Sequence, residues 1–246
     1  MSQSPNASMV SQLRRQAFWL KDSWLWVLRN RVLEGAAGKP SSLDVGCGPG
    51  FVMEVLSEEM DVSGIDVDED MVKACKARGL RAVGARAEDL PFDDHSFDVV
   101  YCSFLLLWVK DPVRVMEEMG RVSGKWVVCL AEPDYGARID YPEGLSEVPG
   151  ILARGITEMG GDPFVGRKLR SIFKDAHLEA EIGVHPGVWS IERLREESEA
   201  EWAWIEAGMK GCNESEIERL RSAWREALRD GTLFQYNPIF YALAKK

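Results

Sequence analysis

The run Leu43-Asp44-Val45-Gly46-Cys47-Gly48-Pro49-Gly50, followed later by Asp66, is the part of the sequence whose residue types and spacing point most directly to chemistry. Gly46 and Gly48 permit a tight turn and let a ligand approach the backbone closely. The segment Val62-Ser63-Gly64-Ile65-Asp66 then ends on a carboxylate twenty positions after Gly46. A carboxylate at that place in a strand–turn–helix–strand unit accepts hydrogen bonds from both hydroxyls of a ribose. Together they define a nucleoside site. Asp44, at the strand's end, has two open roles: orienting the turn through the backbone, or touching the ligand. Cys47 reads as a small residue in a crowded turn.

The glycine spacing also says which nucleoside to expect. A dinucleotide fingerprint is GxGxxG, with a diphosphate on the helix N-terminus. Here the third glycine comes one position early and Phe51 fills its slot. Pro49 removes a backbone donor that a diphosphate would use. LDVGCGPG instead resembles the first motif of class I S-adenosylmethionine (SAM)-dependent methyltransferases, and the resemblance runs from about Ser41 to Lys246. Ala87-Glu88-Asp89-Leu90-Pro91-Phe92 with Ser96-Phe97-Asp98-Val99-Val100 is similar to that family's adenine-side loop and fourth strand. Leu106-Leu107-Trp108-Val109-Lys110-Asp111-Pro112 resembles its following turn and helix start. The resemblance implies SAM as cofactor, with the turn around its methionine part. It also implies Ala87 and Glu88 beside the adenine, Val67 and Met71 as apolar contacts, and Ser103 facing the cofactor. Where relatives carry an acid before the Ala-Glu pair, this chain has Arg86, which cannot accept a bond from the adenine amino group.

These residues must be positioned by alternating strands and helices. Apolar runs at Ser42–Val45, Val62–Asp66, Arg81–Ala85, Phe97–Phe104 and Trp126–Ala131 read as strands. Helical patterns at Gly50–Met60, Glu69–Arg78 and Asp111–Val122 lie between them. This rhythm predicts an α/β, Rossmann-like doubly wound sheet, mostly parallel, with helices on both faces and an antiparallel last strand. Ligands of such sheets bind at the carboxyl ends of the strands. The whole of 1–246 is expected to form one methyltransferase domain. Residues 1–40 would supply a helical cap, with an amphipathic helix over Met9–Leu33 broken near Asp22-Ser23. Residues 132–166, with four prolines and seven glycines, read as a lid or substrate insertion. Helix follows at Arg167–Ala176, a strand near Glu179–Ser190, and helices at Ile191–Met209 and Glu214–Arg229. A closing strand over Phe234–Ala244 is expected to hairpin against Glu179–Ser190.

For catalysis, Glu132, Asp134 and Tyr135 follow the fifth strand, where an acceptor would approach; the alternative is a hydrated acidic loop. His185 precedes Pro186 in a late strand and is the histidine best placed to reach a substrate. No His/Cys cluster has metal-ligand spacing, and no metal is expected. The five cysteines form neither a disulfide framework nor a CxxC site and read as reduced, buried thiols. Asn237-Pro238-Ile239-Phe240 looks like the Asn-Pro-Pro-aromatic motif of amino-directed DNA methyltransferases, but it lies at the wrong end of the chain. The tryptophans read mainly as helix packing.

A net charge of −10 argues against broad nucleic-acid binding. The longest apolar run, Val99–Val109, is too short for a membrane span, and a cytoplasmic location is expected. A methyltransferase with a small-molecule acceptor is therefore the first reading. The alternatives are a protein or structured-RNA acceptor, a SAM-binding protein without methyl transfer, and a nicotinamide dehydrogenase. The residues leave the acceptor atom and the oligomeric state open.

Overall fold

The computed structural model describes residues 7–210 and 212–246, with side chains from Val10 onward; residues 1–6 of the expected helical cap lie outside the described residues. After helix α1 (Ala7–Val27) come strand β1 (Ser41–Val45), α2 (Phe51–Leu56), β2 (Asp61–Asp66), α3 (Glu69–Ala77) and β3 (Arg81–Gly84). Strand β4 (Phe97–Ser103), α4 (Pro112–Val122) and β5 (Ser123–Pro133) complete the repeating part. The remainder comprises β6 (Ile139–Tyr141), α5 (Val148–Glu158), α6 (Val165–Asp175), β7 (Ala180–Val184), α7 (Ile191–Ala207), α8 (Glu214–Asp230), β8 (Phe234–Tyr236) and β9 (Ile239–Lys245).

The main sheet has seven strands in the order β3-β2-β1-β4-β5-β9-β7. It is mostly parallel with one antiparallel strand, as the alternating pattern predicts. The β1–β2, β1–β4, β2–β3 and β4–β5 pairs are all parallel. Leu43, Val45, Val100, Tyr101, Cys102 and Val127–Ala131 have essentially no exposed surface. Near-continuous apolar strands of this kind suit a parallel sheet covered on both faces. The helices start where their caps dictate. Asp68 accepts the Asp70 N–H ahead of α3, and Asp111 accepts the Arg114 N–H ahead of α4, with Pro112 in the first turn.

Contacts divide the described residues into two compact units. The first comprises residues up to Glu132 with Leu169–Gly183 and Tyr241–Lys246; the second comprises Pro133–Lys168 and Val184–Phe240. Within the second, β6 and β8 form an antiparallel pair. Trp202 of α7 and Trp224 of α8 are both buried, with ring centroids 6.2 Å apart. A buried ionic group also stands here. Arg138 grips both oxygens of Asp140 and donates to Glu201, and Gln235 donates to the same Glu201 oxygen.

Several elements differ from the sequence expectation. Helix α1 runs unbroken through Asp22-Ser23 and ends in a π-helical turn at Leu28–Val32, because Leu20, Trp24, Leu25 and Leu28 keep one buried stripe in register. Residues 132–166 hold an 11-residue helix and a strand, whose buried Val148, Ile151, Leu152 and Ile156 repeat at helical spacing. The late strand stops at Val184, just before His185-Pro186, since the residue before proline is constrained and proline donates no ladder bond. The closing run is likewise split at Asn237-Pro238. Its first piece, β8, pairs with β6, and its second, β9, enters the main sheet. Among the described residues, no helix is long and apolar enough to cross a membrane.

Candidate functional site

The first unit builds the site at the carboxyl end of β1. Gly46, Gly48 and Gly50 take φ values of 77°, 52° and 87°, in the left-handed region that glycine enters at least cost. The turn is closed from within. The Gly46 and Cys47 N–H groups both donate to the Ile65 carbonyl, and the Gly50 N–H donates to the Cys47 carbonyl. Asp66, at the end of β2, is tied to the same turn: its Oδ2 accepts the Gly48 N–H at 2.8 Å and its Oδ1 accepts the Asp68 N–H at 2.9 Å. Each carboxylate oxygen retains acceptor capacity beyond these bonds. Gly46, Cys47, Gly48 and Asp66 are thus brought together. Gly50 serves a different need, because a Cβ there would lie 2.5 Å from Leu80 and 2.9 Å from the Cys75 sulfur.

Asp44 is buried one strand position behind the turn, in register with Tyr101 of β4. Burial pushes its carboxyl well above the ordinary carboxylate range. The Cys47 thiol is raised by its hydrogen bond with Cys75 and by burial, the opposite of an activated nucleophile.

A cavity of about 40 Å³ opens beside the turn. It is lined by Gly46–Pro49, by Ser103 and Phe104 at the end of β4, and by Leu13 and Trp24 of α1. The Ser103 Oγ and Trp24 Nε1 are buried and have no hydrogen-bond partner among the described residues. Phe104 holds a φ of 53°, a costly conformation for a bulky residue. Leu13 and Trp24 belong to no motif, and in the sequence they are indistinguishable from core residues of an amphipathic helix. Gly64 of β2 was equally silent. A Cβ there would sit 2.7 Å from both Cys47 Cβ and the Met53 sulfur. Gly64→Ala is therefore expected to destabilise the protein by about 1–3 kcal/mol through overpacking beneath the turn, which urea unfolding would measure.

The residues implied for the adenine side occupy a separate stretch. Met71 is buried in α3, whereas Val67 is 67% exposed. Ala87 is buried. Arg86 pairs with Glu88 at 3.2 Å, and Arg114 donates to the Glu88 carbonyl. The loop is pinned from α4. Buried Glu118 accepts the Leu90 N–H, and Arg121 donates to the Leu90 and Phe92 carbonyls. Arg121 beside Glu118 holds that carboxyl below its usual value.

Of the four catalytic candidates, Glu132 lies in the first unit and Asp134, Tyr135 and His185 in the second. Glu132 is fully buried. Its Oε1 accepts the Leu105 and Leu106 N–H groups and its Oε2 that of Leu107, at 2.9, 2.7 and 3.3 Å. Burial outweighs these three bonds and pushes its pKa up to about 8. Asp134 accepts the Gly136 N–H and pairs with Arg167, whose Nη2 stands 2.7 Å from Oδ1. Tyr135 is buried, and its N–H donates to the Pro163 carbonyl. His185 is buried too, with its N–H on the Ile239 carbonyl. Cys102, Cys129 and Glu132 bring one ligand atom each within 4.8 Å of one another. The Glu132 oxygens are already engaged, and burial pushes the Cys129 thiol well up, so this cluster reads as packed core.

Residues 43–127 match the family described as "Methyltransferase domain". Demethylmenaquinone methyltransferase of Shouchella clausii is 34% identical over 134 residues, which is 49% of this chain and 54% of that protein. The protein of the same name from Geobacillus stearothermophilus is 37% identical over the same shares. The chain thus spans about half the length of these curated relatives. Among solved structures, a chain from Bacillus halodurans aligns with a TM-score of 0.61 at 16% identity, covering 92% of this chain and 98% of the other. Geranyl diphosphate C-methyltransferase of Streptomyces coelicolor, solved with Mg²⁺, geranyl diphosphate and S-adenosylhomocysteine, aligns with a TM-score of 0.52 at 17% identity, covering 96% and 81%. At these identities the structures speak for the fold. Residues 43–127 thus resemble a methyltransferase domain, and the solved structures share the fold over most of the chain.

Proposed function

We propose that the chain is a SAM-dependent methyltransferase that methylates a small molecule. The observation carrying this reading is the bond between Asp66 Oδ2 and the Gly48 N–H, which joins the carboxylate at the end of β2 to the glycine turn after β1, the place from which an acid accepts ribose hydroxyls. The donor set fits the cofactor. Asp66 retains acceptor capacity for ribose hydroxyls, and beside the turn the buried Trp24 Nε1 and Ser103 Oγ have no partner among the described residues. In this reading Gly46, Cys47 and Gly48 wall the methionine part, with Asp44 behind them and Gly50 setting the turn's shape. Val67, Met71, Ala87 and Glu88 serve the adenine side. When bound, SAM supplies a methyl group already activated by its sulfonium.

The protein's own contribution is alignment and exclusion of water. Glu132 fixes the turn after β4, and Asp134 is neutralised by Arg167. Neither carboxylate is left as an obvious proton acceptor, so we assign the catalysis to positioning. Tyr135 and His185 are the remaining candidates for contact with the acceptor. A small-molecule acceptor agrees with the net charge of −10 and with the named activity of the 34–37% identical relatives. Calorimetric titration with SAM, followed by a labelled-methyl screen over quinones and other small acceptors, tests the proposal. The expected result is micromolar binding, about −8 kcal/mol, together with a methylated small-molecule product. Folded protein that binds no SAM would overturn it.

A further inference from the structure

We infer that helix α1 docks the protein, by its outer face, on a membrane surface that carries anionic lipid. This face lies apart from the glycine turn, and its role does not depend on what the turn binds.

Helix α1 has apolar side chains on two faces, and the fold uses one of them. Ala17, Leu20, Trp24 and Val27 are buried, whereas Phe18 and Trp26 are 75% and 58% exposed. The two exposed rings stand about two turns apart on one side of the helix. Among the described residues Phe18 is the most exposed large apolar side chain.

Single exposed apolar side chains are ordinary; what sets these two apart is the charge around them. Residues 7–33 contain five basic residues, Arg14, Arg15, Lys21, Arg29 and Arg31, and a single acid, Asp22, in a chain whose net charge is −10. Arg29 and Arg31 are paired with Glu59 and Glu181, and Arg15 lies over the Trp19 ring. Arg14 and Lys21 are exposed and form no ion pair among the described residues. They bracket Phe18 at four residues before and three after, the spacing of neighbours on a helix surface. Asp22 is exposed on the same side and leaves the two cations in excess.

A local excess of cations in an acidic protein, set among outward-turned Phe and Trp, fits an anionic bilayer surface. The rings enter the boundary between headgroups and acyl chains, where tryptophan is favoured, while Arg14 and Lys21 meet the negative headgroups. Helix α1 is not apolar enough to cross the bilayer, so it lies in the surface plane. A second copy of the chain fits this face less well. A two-fold contact would crowd Arg14 and Lys21 against the same cations, and two rings fall short of the roughly 800 Å² per partner that a stable interface buries.

The test is co-sedimentation of the full chain with vesicles of phosphatidylcholine alone, or with about a third of it replaced by phosphatidylglycerol. Binding to the anionic vesicles is expected to be at least about fivefold tighter than to the neutral ones and to weaken as salt is added. Phe18→Ser with Trp26→Ser removes the rings, and Arg14→Glu with Lys21→Glu reverses the charges. Each pair is expected to weaken binding to anionic vesicles at least about tenfold. All four positions are exposed, so both variants should keep the wild-type urea midpoint; should one misfold, the other decides. No binding of wild type to anionic vesicles, equal binding to both kinds, or unchanged binding by a folded variant would overturn the inference. So would a wild-type dimer in sedimentation that Phe18→Ser with Trp26→Ser breaks, because the face would then belong to a second copy.

Discussion

Asp66→Ala is expected to weaken SAM binding by about 100-fold, near 2.8 kcal/mol. The size follows from a carboxylate with two duties. Towards the protein it accepts the Gly48 and Asp68 N–H groups; in the proposed function its remaining lone pairs serve ribose hydroxyls. Hydrogen bonds to a charged acceptor contribute about 1.5–3 kcal/mol each, so losing the ribose contacts alone accounts for most of the effect. Loosening of the glycine turn adds to it. Asp66→Asn keeps the side chain's size and one acceptor oxygen, so its affinity should fall between those of wild type and Asp66→Ala. Calorimetry on the three proteins decides the matter: an Asp66→Ala affinity within about twofold of wild type would end the ribose assignment.

Glu132→Ala should have the larger effect on stability. Removing this side chain strands the Leu105, Leu106 and Leu107 N–H groups in a buried site. Each unsatisfied donor costs about 1–3 kcal/mol, and after partial relaxation a total loss of about 3–5 kcal/mol is expected. Glu132→Gln retains an acceptor oxygen and should lose less.

The same residue gives a pH signature of definite sign. Its pKa rises from 4.5 to about 8 on folding, with burial as the cause. Between those values the folded protein holds a proton that the unfolded chain has released. Stability from this group is therefore full below about pH 4.5 and falls as pH rises towards 8, by up to ~1.4 kcal/mol per pH unit. Glu132→Gln has no such proton. Urea unfolding of both proteins across this range should show the wild-type curve falling relative to the variant; parallel curves would contradict the shift.

The legible part of the molecule is where local chemistry and global fold agree. The turn Gly46–Gly50, the acid at Asp66 and the apolar runs of β1, β2, β4 and β5 each carry a short-range signal, and together they specify the parallel core. The rest depends on contacts between distant residues. Nothing near Trp24 in the chain reveals that it lines a cavity with Ser103 and Phe104, since a helix's apolar stripe looks alike whether it meets core or cavity. Gly64 reads as an ordinary strand glycine until Cys47 and Met53 are seen against it. Glu132 reads as a base because it follows a strand at the right end; only the fold shows three amides converging on it. In the second unit, prolines and glycines obscured α5 and β6, whose helical and strand character comes from the residues between them.

Phe104 carries a consequence for how the cavity moves. Its φ of 53° stores strain, and that strain persists because its N–H is held by Ala131 at 2.7 Å while the next three N–H groups are held by Glu132. Four consecutive amides thus hang on β5, a central strand of the sheet. A segment anchored in this way does not fluctuate open by itself, since releasing it means leaving several buried donors unpaired at once. The β4 side of the cavity therefore belongs to the cooperative unit of the sheet, and its amides exchange with solvent only when that unit opens.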